Sequence, residues 1–268
     1  MSYTSNFTKP NGHVLYKGKC LEAELLDEAK QVLRHHQLPS LPERTPRYLV
    51  EALLFCVSSQ YCSFERPLEF LKSLHEYAQE DLLNPEILAS KADAAGLPYN
   101  DRFAPALKVA RDYEGGIEAL ADDALDSPLA TRRKIAKYHK FLAPKTFSLW
   151  YLCLGGKDLI CIDRHVARAV AGPRSHGLGI NVAKKFRVPQ ARPDGRKIIA
   201  YPRIGEYERI EKRILEECTN EELLQDGCSR PNGALITTLF WVDGASRARA
   251  EDEETPSRLL FESPYSST

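Results

Sequence analysis

The chain has 268 residues, 43% of them hydrophobic, and 37 basic side chains cancel 37 acidic ones to a net charge of zero. That apolar content suffices for one large or two modest domains with a real core. No run approaches the ~18 apolar residues of a membrane helix, and the polar start Met-Ser-Tyr-Thr-Ser-Asn-Phe-Thr-Lys lacks a signal-peptide core. Seven scattered cysteines without Cys-x-x-Cys spacing argue for reduced thiols, so an intracellular chain of the cytoplasm, nucleoid or nucleus is expected, with no membrane partner.

Residues 1–19 are polar and irregular, with His13-Val14-Leu15-Tyr16 a short strand or an extended packing segment. Apolar spacing at Leu21, Leu25, Leu26, Ala29, Val32 and Leu33 predicts a helix to about His36, ended by the Pro-rich stretch 38–42. Arg47 to Gln60 is the most apolar helix of the first half, and three more helical segments follow over about 66–78, 85–95 and 101–113. Ser127-Pro128 pairs a good N-cap with a good first-turn residue and opens a helix from Leu129 to His139.

The stretch from Lys140 to His165 concentrates the chemistry. After the turn Phe141-Leu142-Ala143, Pro144 favours the first position of a helix, so Lys145 stands in the first turn of a helix that Gly155-Gly156 stops. The positive end of the helix dipole and the apolar neighbours Phe147, Leu149 and Trp150 disfavour an ammonium there. A neutral amine can attack carbon. Asp163 follows the apolar run Leu159-Ile160-Cys161-Ile162 and precedes a helical stretch over 164–171, which places its carboxylate at a helix N-terminus. Taken singly, Asp163 is an ordinary cap and Lys145 an ordinary solvated lysine. Taken together, they suggest an amine nucleophile beside a buried acid.

Residues 172–203 are rich in Arg, Lys, Gly and Pro and read as a basic stretch, either a loop lying along a partner or a disordered segment. Two closing helices are expected over 205–217 and 234–242, then an acidic tail with Pro and Ser over 251–268. From Pro128 to Arg203 there are 17 Lys and Arg against three acids, a net of +14, so the rest of the chain carries −14. Over 76 residues without a single Glu, that asymmetry points to a phosphate backbone rather than to a merely solvated basic face.

Lys145 and Asp163 are eighteen residues apart, a hairpin precedes the first, and Ile162-Asp163-Arg164-His165 surrounds the second. This segment resembles the helix-hairpin-helix DNA glycosylase/AP lyase superfamily. Lys145-Thr146-Phe147-Ser148 followed by Ile-Asp-Arg-His is most similar to its short archaeal-type 8-oxoguanine branch. The resemblance covers roughly residues 44–245. It implies an all-α fold of two helical subdomains with a helix-hairpin-helix motif and a DNA-binding cleft between them. Residues 44–140 would form a helical barrel and 141–250 the hairpin and catalytic subdomain, with 1–43 packing on the latter and 251–268 left as a flexible tail.

The same resemblance assigns roles. Lys145 and Asp163 are the implied catalytic pair. Gln60, at the end of Phe55-Cys-Val-Ser-Ser-Gln60, occupies the place of the amide that fills the gap left by an extruded nucleotide, since an amide both donates to and accepts from an orphaned base. Phe141, Leu142, Ala143, Arg164 and His165 are implied DNA contacts, although most relatives have Gly at both ends of the hairpin where this chain has Phe141 and Ala143. Tyr99 either faces the extruded base or packs its turn, and Trp241 either stacks on the base or packs the core. The expected activity is base-excision repair of 8-oxoguanine through a lysine Schiff base and β-elimination. The alternatives are another lesion, such as an oxidised pyrimidine, and a non-catalytic DNA-binding protein. Only Cys218 and Cys228 lie beyond Asp163, against the four clustered cysteines of the iron–sulfur branches, so no metal and no cofactor is expected beyond room for a monovalent cation at the hairpin. The implied partner is duplex DNA holding a damaged base or an abasic site, met by a monomer.

Overall fold

In the computed structural model, which describes residues 23–36, 44–59, 65–78, 81–97, 102–138, 142, 144–163, 166, 204–218 and 220–251, all the regular elements are helical. Ten α-helices are present among the described residues, and the one β contact is an isolated antiparallel bridge between Leu224 and Pro231. The all-α expectation is met. The helices form two compact units, one of residues 35–156 and one of residues 23–34 with 157–251. The division falls between Gly156 and Lys157 rather than at the hairpin, because the helix carrying Lys145 packs among the helices that precede it.

The first unit is built around α2 (Pro46–Ser58), in which Leu49 to Ser58 are all buried. Such a helix has no solvent face and must be covered on every side. Its covering elements are α3 (Glu65–Lys72), α5 (Phe103–Asp112), α6 (Gly116–Asp126) and α8 (Pro144–Cys153); α4 (Pro85–Ala94) packs on α5, and α7 (Pro128–Tyr138) packs on α6 and α8. Thr45 Oγ1 accepts from the Tyr48 amide and Pro46 takes the first turn, so the start of α2 is capped as its sequence dictates. Cys56 of α2 and Cys153 of α8 bring their sulfurs to 3.9 Å inside this core.

The elements differ from the sequence reading in several places, the last helix among them, which runs on to Glu251 rather than ending near residue 242. The segment expected to stay helical to residue 78 ends at Lys72, where Arg47 takes over: its guanidinium donates to the carbonyls of Tyr77 at 2.8 Å and Leu74 at 3.2 Å, holding residues 73–77 in turns against α2. In addition, α6, starting at Gly116, fills the stretch between residue 113 and Ser127 for which the sequence reading has no helix. Gly115 has φ +82°, and a Cβ there would come within 2.7 Å of Ala119, so glycine is needed to turn the chain into that helix.

The second unit holds α1 (Ala23–His36) up to Arg34, the irregular stretch 157–163, α9 (Ile204–Glu217), a 3₁₀ turn Glu221–Leu223 and α10 (Gly233–Glu251). α1 buries Leu26, Ala29 and Val32, and α9 buries Tyr207, Ile210, Glu211 and Ile214, each a single helical stripe. Ala234 to Phe240 of α10 are buried on all sides. Cys161 and Cys218 lie in this core, while Cys228 is exposed in the turn between the 3₁₀ element and α10. No helix among the described residues is long and apolar enough to cross a membrane.

Candidate active site

Lys145 is the second residue of α8, directly after Pro144, and its side chain is half-buried. The next residues are Thr146, Phe147 and Ser148, all at most 1% exposed, so Lys145 is the side chain of this turn that combines reactivity with access to solvent. The helix is fixed along its length. Trp150 Nε1 donates to the Leu49 carbonyl of α2 at 3.2 Å, and Phe147 meets the Trp150 ring edge-on at 6.2 Å. At the far end, the Gly155 amide bonds the Leu152 carbonyl and the Gly156 amide bonds the Tyr151 carbonyl, both at 3.0 Å. With Gly155 at φ +85°, this is a Schellman closure, and a side chain on Gly156 would fall 2.1 Å from the Tyr151 ring. The Arg44 guanidinium donates to the Leu154 carbonyl at 2.6 Å, placing a cation at the negative end of the helix; burial lowers its pKa, and the charge of Asp122 opposes that.

Asp163 ends the segment 157–163, whose residues Leu159 to Ile162 are buried without belonging to helix or sheet. Buried amides must find partners, and here they find side chains. Ile160 N–H donates to Glu211 Oε1 at 2.9 Å, Cys161 N–H to Thr237 Oγ1 at 3.2 Å and Ile162 N–H to Tyr207 Oη at 2.8 Å. The Tyr207 hydroxyl returns its own proton to the Ile160 carbonyl at 2.9 Å. At the start of the segment, the Gly233 amide donates to the Lys157 carbonyl at 2.6 Å, and a Cβ on Gly233 would lie 2.2 Å from the Leu159 carbonyl oxygen. Asp163 itself is half-buried, and its Oδ1 accepts from the Val166 amide at 3.0 Å, the bond of an N-cap.

The expected residues are distributed as follows. Lys145 belongs to the first unit and Asp163 to the second. Leu142 is 1% exposed, so its side chain is packed inward and this position has only main chain to offer a partner. Trp241 sits half-buried on α10 between the fully buried Phe240 and Val242. Gln60, Tyr99, Phe141, Ala143, Arg164 and His165, and the basic stretch 172–203, lie outside the described residues. Among those described, no three His, Cys, Asp or Glu side chains gather to hold a metal ion.

Two solved structures are similar to this one. The 8-oxoguanine DNA glycosylase of Thermotoga maritima matches with a TM-score of 0.52 and 19% identity over 81% of this chain and 87% of its own. The 8-oxoguanine DNA glycosylase of Methanocaldococcus jannaschii matches with a TM-score of 0.57 and 16% identity over 87% and 90%. The chain has their fold. No model of a known protein family matches the sequence, and no curated protein does.

Within this fold, the residues that hold Lys145 and Asp163 in place carry no local signal in the sequence, with one exception. By its spacing Tyr207 reads only as one more residue of a closing helix, and nothing local in the sequence gives Thr237, Arg132 or Arg44 a role. One signal was present. Glu211 falls on the same helical stripe as Tyr207, Ile210 and Ile214, and a carboxylate on an apolar stripe is buried only when something pairs with it.

Proposed function

We propose that the chain is a base-excision DNA glycosylase with AP lyase activity that removes 8-oxoguanine from duplex DNA. The observation that carries this reading is the placement of Lys145 in the first turn of α8, eighteen residues before an Asp163 that caps a helix, in a chain with the fold of two 8-oxoguanine DNA glycosylases. Among the described residues, the exposed cations Arg133, Lys134 and Lys137 of α7 supply a surface for phosphate directly before the hairpin.

The chemistry follows from the two side chains. The target nucleotide leaves the stack at a cost of a few kcal/mol, least for a damaged base. The Lys145 amine forms a bond to C1′ of the sugar while the N-glycosidic bond breaks and the base departs with a proton. Asp163 stabilises the positive charge that develops on the sugar during this step. Ring opening leaves an imine between Nζ and C1′, and loss of a proton from C2′ then expels the 3′ phosphate and cuts the strand. Water finally cleaves the imine and restores the lysine.

Borohydride trapping on duplexes holding 8-oxoguanine or an abasic site tests this directly, with Lys145→Gln as control. Adducts on both duplexes that vanish in the variant are the expected result. An adduct on the abasic duplex alone would keep the lyase and move the substrate to another base, such as an oxidised pyrimidine. No adduct on either would make the chain a DNA-binding protein.

A further inference from the structure

We propose that Arg132 and Ser148 are positioning residues for Lys145, acting through the peptide plane that joins Pro144 to Lys145. The inference rests on the lysine being the nucleophile. Arg132 lies on α7 and is 0% exposed, and its guanidinium NH1 donates to Ser148 Oγ at 2.9 Å. Ser148, also 0% exposed, spends its own proton on the Pro144 carbonyl at 2.7 Å. That carbonyl belongs to the peptide group whose nitrogen is the Lys145 amide.

The consequence is geometric. The Pro144 ring fixes the φ of the residue that carries this carbonyl, and the Arg132–Ser148 pair fixes the direction of the carbonyl itself. Thr146 and Phe147, buried at 1% and 0%, prevent the next residues from swinging. The Lys145 Cα is therefore held, and only the side-chain torsions remain for the amine to reach C1′. A serine bonding back to the carbonyl four residues earlier slightly destabilises a helix on its own, so the bond is not there to strengthen α8. A buried guanidinium is likewise weak evidence for stability in itself, since it cannot shed its proton and its desolvation is costly. What Arg132 supplies, and Met would not, is a directed donor to Ser148. An amine misplaced by an ångström loses most of its advantage, since such errors cost on the order of 10²-fold in rate.

The test is single-turnover borohydride trapping on an abasic-site duplex, with enzyme in excess, for the parent, Ser148→Ala, Arg132→Met and the double variant, beside binding of the same duplex and thermal unfolding. The trapping rate is expected to fall roughly 10- to 100-fold in each single variant while duplex affinity changes less than about threefold, because positioning affects the reaction and not the encounter. The double variant is expected to lose no more than the worse single one, since both residues act along one path. Rates within about twofold of the parent, or rate and binding lost together, or losses that multiply in the double variant would each overturn the proposal. Should Arg132→Met fail to fold, Ser148→Ala alone decides by the same split between rate and binding. A parent chain that traps nothing overturns the lysine reading and this inference with it, whereas a parent that traps and variants that trap equally overturn this inference only.

Discussion

Asp163 has two tasks that substitutions can separate. Its Oδ1 caps a helix by accepting from the Val166 amide, and its charge is assigned to the sugar cation. Asparagine keeps the cap acceptor and removes the charge. Asp163→Asn is therefore expected to unfold at nearly the parent temperature while its trapping rate drops roughly 10²- to 10³-fold. Asp163→Ala loses the cap as well, for a further cost of about 1 kcal/mol of stability. Calorimetry and single-turnover trapping on the same preparations check both, and an Asn variant as active as the parent would confine Asp163 to its cap. The cap was legible because its signal is local: a carboxylate directly before a helical stretch. What holds the residues on the other side of Asp163 was not.

The support for the stretch 157–163 belongs to the scale of elements. Its amides reach side chains 45, 51 and 76 residues further along the chain, and no local pattern announces partners that distant. Tyr207→Phe keeps the ring and removes one oxygen that serves both the Ile162 amide and the Ile160 carbonyl. The expected cost is about 1–3 kcal/mol, the price of leaving buried polar groups unsatisfied. Amide hydrogen exchange should rise at residues 160–162 before it rises elsewhere in that unit, and unchanged exchange there would mean that the hydroxyl holds nothing. Gly233→Ala pushes a methyl group into the Leu159 carbonyl, which is backbone and cannot move aside as a flexible side chain would. A loss of about 1–3 kcal/mol or more is expected, read as a lower urea midpoint. By contrast, both ends of α8 were legible, because proline and paired glycines act where they stand. α6 was not legible, because paired glycines more often end a helix than begin one, and Gly115 here turns the chain into it at φ +82°.

At the scale of the molecule, charge was the most legible property, since composition needs no fold to be read. The partition into units was less so, because it depends on which helices α8 packs against, and its buried Phe147, Trp150 and Leu152 commit it to the unit of α2. If the basic region faces phosphate, affinity for duplex DNA falls steeply with salt, and each lost contact lowers the log–log slope by about 0.9. Replacing the exposed Arg133 and Lys137 with Gln is expected to reduce that slope by nearly two such steps. An unchanged slope in the double variant would remove α7 from the interface.

The placement of the thiols gives the folded chain its own chemical clock. Of the five described cysteines, Cys228 alone is exposed, while Cys56 and Cys153 lie inside one unit and Cys161 and Cys218 inside the other. An alkylating reagent should mark Cys228 at once and reach the four buried sulfurs only as fast as each unit opens. Mass spectrometry of the partly labelled chain would then time the two openings separately in the intact protein, with no probe added. The same seclusion keeps those sulfurs out of reach of the oxidants that turn guanine into 8-oxoguanine.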